Sequence, residues 1–162
     1  GFLSSGAAGR QRLNLDRVRV QGVELTVAWR ASDALTINAD YIYNDATVRR
    51  ASVAPALVGN RVAQVPRTNA SFGATWQAPG RFTIIPRVRW IGRQFEDDEN
   101  LLTLEAVTVI DLGISRPVTT NVEFFINVEN LGDVRIETGL SANGLVNIGT
   151  PRLTVAGFRG TW

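Results

Sequence analysis

The chain has no cysteine, no histidine, no methionine and no lysine among its 162 residues. Without cysteine there are no disulfides, thiolate nucleophiles or thiolate metal sites. Without histidine, neither a Ser-His-Asp triad nor an imidazole-ligated metal can be built from these residues. We therefore expect no enzyme, no catalytic residues, no cofactor and no metal. Positive charge rests on arginine alone: 17 Arg face 15 carboxylates, for a net charge of +2. Arg49-Arg50 is the only adjacent basic pair, and no basic block marks a nucleic-acid partner. Long apolar runs are missing too; none approaches the roughly 18 residues of a spanning helix.

What is present is alternation. Apolar residues make up 44% of the chain, too many for a disordered one. They recur with period two, and helical periodicity is absent. The last twelve residues are the sharpest case. Counting back from Trp162 in twos gives Gly160, Phe158, Ala156 and Thr154, all without charge. The other phase, Thr161, Arg159, Gly157, Val155 and Leu153, carries the charge. Successive strand side chains point to opposite faces, so one face can meet lipid while the other meets water or protein. An edge strand of a soluble sheet alternates in the same way.

About seven strands of this kind can be drawn. They lie near Arg19–Arg30, Leu35–Val48, Asn69–Gln77, Arg81–Arg93, Glu105–Ser115, Asn121–Glu129 and Leu153–Trp162. The fourth is the clearest, with Phe82, Ile84, Pro86, Val88 and Trp90 opposing Arg81, Thr83, Arg87, Arg89 and Arg93. Pro86 weakens a ladder and predicts a local bulge. Between the strands, short connections at Ala31–Ala34, Ala78–Gly80 and Pro117–Thr120 alternate with long ones at Arg50–Thr68, Gln94–Leu104 and Asn130–Thr150. A meander then gathers all the long loops at one end, as transmembrane barrels do.

Three features favour a membrane wall over a soluble sheet. The strands run to about 9–13 residues, the length a tilted spanning strand needs and beyond the usual 5–6 of globular strands. Aromatics cluster at strand ends: Trp29, Trp76, Phe82 and Trp162 toward the short turns, Tyr41, Tyr43 and Trp90 toward the long loops. Phe82 to Trp90 spans roughly 26 Å of strand, or ~20 Å of height once tilted, near the ~25 Å apolar band of an outer-membrane barrel. Finally, the apolar faces carry almost no charge, while the opposite faces hold Arg, Glu, Asp, Asn and Thr. A lumen tolerates that mixture better than a packed core does. The fold class is thus all-β, an antiparallel up-and-down transmembrane barrel segment that forms an open curved sheet by itself. Val88 should meet lipid and Thr83 the lumen.

Four segments carry a family resemblance. They are Val20-Gln21-Gly22-Val23-Glu24-Leu25, Val65-Pro66-Arg67-Thr68, Gly92 to Asn100 followed by Asp111, and Val128-Glu129-Asn130-Leu131-Gly132-Asp133 with Gly149-Thr150-Pro151-Arg152 and Trp162. In that order and spacing they resemble the C-terminal barrel of TonB-dependent outer-membrane receptors. That family usually has an aromatic where Gly132 stands, and often Phe at the last position. The resemblance runs from about Asn14 to Trp162, and it implies active import of a scarce, bulky ligand: a ferric siderophore, a cobalamin or a glycan fragment. It also implies a plug domain inside the barrel, contact with TonB through that plug, and a barrel of about 22 strands. The chain opens in mid-pattern without an initiator Met, so residues 1–162 read as the last part of one barrel domain, with the plug and the earlier strands elsewhere. Phe158 and Trp162 would form the signal read by the barrel-assembly machinery. A passive porin or structural barrel remains the alternative, and a soluble β-barrel binding protein a further one.

Candidate functional residues are few. Arg81, Arg87, Arg89 and Arg93 share one phase and would line the lumen. They could meet a plug or an anionic ligand, or pair with carboxylates on neighbouring strands. Glu96, Asp97, Asp98 and Glu99 put four carboxylates in one loop; cation binding is possible chemistry there, but the spacing lacks a calcium-loop pattern, and a solvated loop is the expectation. Asn130 and Asp133 should cap the turn where the sixth strand becomes loop.

Overall fold

A computed structural model of the chain describes residues 2–6, 9–13 and 15–161, with side-chain surroundings from Leu15 to Thr161. β1 (Phe2–Gly6) and β2 (Gly9–Leu13) pair antiparallel as a separate two-stranded sheet, outside the seven strands that alternation marks. The chain then enters the wall with β3 (Arg17–Ser32), β4 (Leu35–Arg50), β5 (Thr68–Ala78) and β6 (Phe82–Ile91). A short pair follows, β7 (Gln94–Phe95) with β8 (Thr103–Leu104). The wall resumes with β9 (Val107–Pro117) and β10 (Val122–Glu129). A second short pair, β11 (Glu137–Leu140) with β12 (Val146–Ile148), precedes the last wall strand, β13 (Leu153–Gly160).

The seven long strands form one sheet in the order β3-β4-β5-β6-β9-β10-β13, every neighbour antiparallel. This is the expected up-and-down meander. Its first two strands are longer than the alternation suggests, 16 residues each in β3 and β4. The turns β3–β4, β5–β6 and β9–β10 are tight and fall at one end. Gly80 and Arg81 take positive φ of 80° and 66° in the second of these, the pair of left-handed residues that matches strand twist in a tight hairpin. Arg81 therefore belongs to the turn, and β6 begins one residue later.

Register fixes the two faces. Tyr41, Ala70, Trp90 and Thr108 lie in one cross-strand row. Leu35, Trp76, Ile84, Ile114, Ile126 and Ala156 lie in another. Phe124 meets Phe158 with ring centroids 5.3 Å apart. This face is apolar from Trp29 and Val23 on β3 across to Phe158 on β13. Between the short-turn rim and the Val23–Tyr43 row its one charge among the described residues is Arg116, with its guanidinium 5.0 Å over the Phe82 ring; beyond that row, at the loop end, the same phase carries Asp45, Arg19 and Arg17. The opposite face carries Glu24, Asn38, Asp40, Ser71, Arg87, Arg89, Asp111, Asn127 and Arg159 in the alternate phase.

Pro86 does not make the bulge its type suggests. Pairing of β5 with β6 has the same register on both sides of it, Gly73 with Arg87 and Trp76 with Ile84; only the two intervening pairs drop out of the ladder. On the other side Pro86 stays paired with Leu112. The missing N–H is thus absorbed as a local gap toward β5. An inserted residue would have flipped every apolar side chain beyond it to the lumen.

β3 and β13 each have a free edge in this sheet. In hydrocarbon every unpaired N–H or C=O costs several kcal/mol, and exposed edges recruit one another. Expressed alone, these 162 residues should aggregate or self-pair in detergent, as measured by light scattering. A stable, closed monomer would contradict the open sheet.

Candidate functional site

The polar face of the sheet and its loop end hold the clefts and polar clusters. On the lumen face, Arg87 and Arg89 stand two residues apart on β6. Arg89 donates from Nε and Nη2 to the two oxygens of Asp111, at 2.9 and 3.2 Å. Arg87 sits directly opposite Asp111 in the register, and no ion pair of its own is present among the described residues. The cleft beside these groups has a volume of 400 Å³ and includes Asn127 and Glu129. A second, of 350 Å³, lies across Gly73 with Asn38, Asp40 and Ser71 on its rim. Ser71 Oγ donates to Asp40 at 2.9 Å.

The other two arginines of the expected row lie elsewhere. Arg81 is in the turn, and Arg93 follows the end of β6 and pairs with Glu105 at 3.1 Å. The arginine row is therefore two residues long, because β6 spans Phe82–Ile91 and not Arg81–Arg93.

The loop end is built around Asn130, a residue only 2% exposed. Its backbone N–H donates to Asp111 Oδ1 at 2.9 Å. Its side-chain oxygen accepts the Val134 N–H at 2.9 Å, while Nδ2 donates to the carbonyls of Val134 and Thr150. Asp133 then accepts the Arg152 N–H at 2.9 Å. Asn130 and Asp133 take positive φ of 51° each, which short polar side chains tolerate best after glycine. The turn role expected of them is present. What the sequence left unlinked is the chain Arg89–Asp111–Asn130–Thr150, which clamps the third long loop onto the lumen wall. The motif letters N, D and P-R were visible; their joining was not, since Asp111 lies 19 residues from Asn130.

The first two long loops are tied together. Arg61 and Asn100 exchange two bonds, Arg61 N–H to Asn100 Oδ1 at 2.7 Å and Asn100 Nδ2 to Arg61 O at 2.9 Å. Asn60 reaches the Asp98 carbonyl, and Gln64 N–H donates to Phe95 O at 2.7 Å. Burial in this cap, with Arg67 nearby, pushes the Arg61 guanidinium below its ordinary value, though a guanidinium remains charged. Beneath the cap, at the mouth of the lumen, lies an apolar pocket of 370 Å³. Its lining includes Leu15, Val18, Val20, Ala46, Val62 and Val65, with Asn44 and Asp98 the polar groups. Asn44 Oδ1 is buried there without a hydrogen-bond partner. Sequence reasoning missed this pocket because the loop residues that roof it, Val62, Val65 and Asp98, lie far along the chain from β3.

The acidic loop is structural in its visible bonds. Asp97 accepts the N–H groups of Leu101 and Leu102, and Glu96 accepts from Gln64. Among the described residues no three carboxylates gather around a common point. The aromatics named from sequence occupy the outward face: Trp29, Trp76 and Phe82 toward the short turns, Tyr41, Tyr43 and Trp90 toward the loops. Phe158 is 70% exposed on the same face. Trp162 lies outside the described residues.

Residues 2–131 match the family described as "TonB dependent receptor-like, beta-barrel". The chain belongs to that family. Its members are receptors, not an enzyme class. The pesticin receptor of Yersinia enterocolitica serotype O:8 is 30% identical over 158 residues, covering 91% of this chain and 23% of that receptor. The ferrioxamine receptor of Yersinia enterocolitica is 28% identical over 123 residues, 72% of this chain and 17% of that one. Among solved structures, the siderophore receptor PiuA of Acinetobacter baumannii superposes with a TM-score of 0.80 at 21% identity, over 88% of this chain and 22% of its own. The ferric yersiniabactin uptake receptor FyuA of Yersinia pestis gives 0.76 at 22% identity, over 87% and 23%. The chain thus spans under a quarter of the length of each of these relatives.

Proposed function

We propose that this receptor barrel segment works in the bacterial outer membrane as part of an active importer of a scarce, bulky ligand. Its class is that of ferric siderophores, cobalamins or glycan fragments, with siderophores favoured by the names of the relatives. Energy would come through TonB, by way of a plug domain seated against the lumen face. The carrying observation is the family match on a wall that is apolar outside, charged inside and roofed by long loops at one end only. Residues 1–162 would be the last part of one such barrel. In that setting the apolar pocket under the loops is the place for the ligand, and Arg87 beside Arg89 is the place for a carboxylate of the plug.

Deleting the full-length gene and measuring radio-iron uptake from a panel of ferric siderophores tests this reading. Uptake should fall for one siderophore class, and should fall equally in a strain lacking TonB. Uptake that persists without TonB or an ion gradient would favour the passive porin. The terminal strand gives a second test, since an aromatic at the interface anchors a barrel. Removing Trp162 from the full-length receptor should lower the amount inserted in cells, read from heat-modifiable mobility on gels. Unchanged insertion would remove its role in assembly.

A further inference from the structure

The long loops are folded onto the end of the wall, with a core of their own. The apolar side chains most removed from solvent, Ala46, Val48, Ala51, Leu57, Leu104 and Val109, all lie at the loop end. Val48, Ala51 and Leu57 cluster where β4 runs into the first loop. That loop returns to β4 through Val48 N–H to Asn60 O and Gly59 N–H to Val48 O, both at 2.9 Å, and Val62 N–H to Ala46 O at 3.0 Å. The second loop contributes Leu104 on β8, 1% exposed, and β8 packs against β11 of the third loop. Segments that open readily have few buried apolar contacts and many solvated hydrogen bonds. This end of the molecule has the opposite character.

Asn100 ties the first two loops together. It takes a positive φ of 60° in a turn where its N–H donates to Asp97 O at 3.2 Å. Its side-chain amide then meets both polar groups of one residue in the first loop. Oδ1 accepts the Arg61 N–H at 2.7 Å, and Nδ2 donates to Arg61 O at 2.9 Å. A carboxamide carries a donor and an acceptor on one planar group, which is what this exchange requires. Three contacts flank it: Asn60 Nδ2 to Asp98 O at 2.9 Å, Gln64 N–H to Phe95 O at 2.7 Å, and the Arg61 guanidinium 5.5 Å over the Phe95 ring. The bonds join Val62 and Val65 of the first loop to Asp98 of the second, the loop residues that roof the apolar pocket.

We propose that Asn100 is a positioning residue for ligand capture: it holds Val62, Val65 and Asp98 as one preassembled roof, so the ligand enters a finished pocket and does not draw the roof over itself. The proposal rests on the import reading above, with the apolar pocket as the place for the ligand. A roof ordered before binding spares the ligand the cost of ordering it. Once released, the roof is in the right arrangement for only part of the time, and the apparent affinity falls by that fraction. Capture should therefore weaken while the maximal rate of uptake, set by the energised step, stays the same.

The test uses the full-length receptor, with heat-modifiable mobility as the check on folding. Radio-iron uptake is followed against concentration for each ferric siderophore of the panel. Asn100→Ala and Asn100→Gly should each raise the half-saturating concentration roughly 10-fold and leave the maximal rate unchanged. Asn60→Ala, which loses only the bond to Asp98 O, should raise it roughly 2- to 3-fold. Asn143→Ala, at the tip of the third loop, should change neither quantity. Glycine accepts the positive φ, so wild-type uptake by Asn100→Gly would reduce Asn100 to its backbone angle and overturn the proposal. A fall in maximal rate alone would overturn it as well. Spin labels at Val58→Cys and Leu101→Cys, both exposed and one on each loop, give a reading independent of uptake; residues 1–162 have no cysteine of their own. Pulsed electron resonance should find one narrow distance in the wild-type background, the same with each ferric siderophore added, and a broad spread in Asn100→Ala. A broad wild-type spread, or a distance that shifts with siderophore, means a roof that closes on its ligand and sinks the proposal. If no siderophore of the panel gives receptor-dependent uptake, the import reading and the capture role fail together; a distance still narrow in that case separates this failure from a roof that was never ordered.

Discussion

Val88→Arg should destabilise the full-length barrel by about 2–4 kcal/mol, read from folding titrations in lipid vesicles. Val88 lies mid-strand on β6 in a row with Phe72 and Ile110, all on the outward face. An arginine there must carry its charge into hydrocarbon or bend the long way to an interface. Thr83, on the same strand but in the other phase, pairs with Ser115 and donates to Gln77 at 2.9 Å. Thr83→Arg should cost well under 1 kcal/mol beyond that lost bond, because the lumen side supplies water and polar partners. Thr83 also lies nearer the turn, so Ser71→Arg is the depth-matched control; it adds a cation beside the Asp40 carboxylate. Equal costs for Val88→Arg and Ser71→Arg would reverse the assignment of the faces.

The second large effect is expected at Asn130. Replacing it by alanine removes the acceptor for the Val134 N–H and the donor to two carbonyls in a site 2% exposed. Each buried polar group left unpaired costs about 1–3 kcal/mol. An alanine at positive φ adds roughly 1 kcal/mol. Allowing for partial relaxation of the loop, the sum should be about 3 kcal/mol in the same titrations. Asn130→Gly separates the two causes. It relieves the backbone but restores none of the bonds, so most of the loss should remain. A glycine variant as stable as wild type would reduce the role of Asn130 to its backbone angle. Loosening of the clamp should also free the loop from Asn130 to Thr150, detectable as faster proteolysis within it.

The reason these residues divide so unevenly between the legible and the hidden is the range over which each property is fixed. Alternation is local. Phe82, Ile84, Val88 and Trp90 announce their face within nine residues of chain, so the seven wall strands, their order in a meander and the gathering of long loops at one end could all be read from sequence. Turn chemistry is local too: Gly80, Asp33 and the Asn130–Asp133 pair mark their bends by type. Pro86 shows the limit of local reasoning. Its missing N–H had two outlets, a bulge or a gap, and the apolar residues on both sides of it favour the gap, because a bulge would have turned half of β6 inside out.

The sequence by itself therefore determined the class of fold, the apolar side of the wall and the family, since period, strand length and motif order are properties of neighbours along the chain. Only the tertiary structure decided which arginines act together, how the Asp111–Asn130 clamp forms and where the apolar pocket lies. Those depend on register between strands tens of residues apart. The same register turns Val18 and Val20 toward the apolar pocket and Arg17 and Arg19 to the other face: alternation continues unbroken there, and only their height above the apolar band shows that the two faces have exchanged their chemistry.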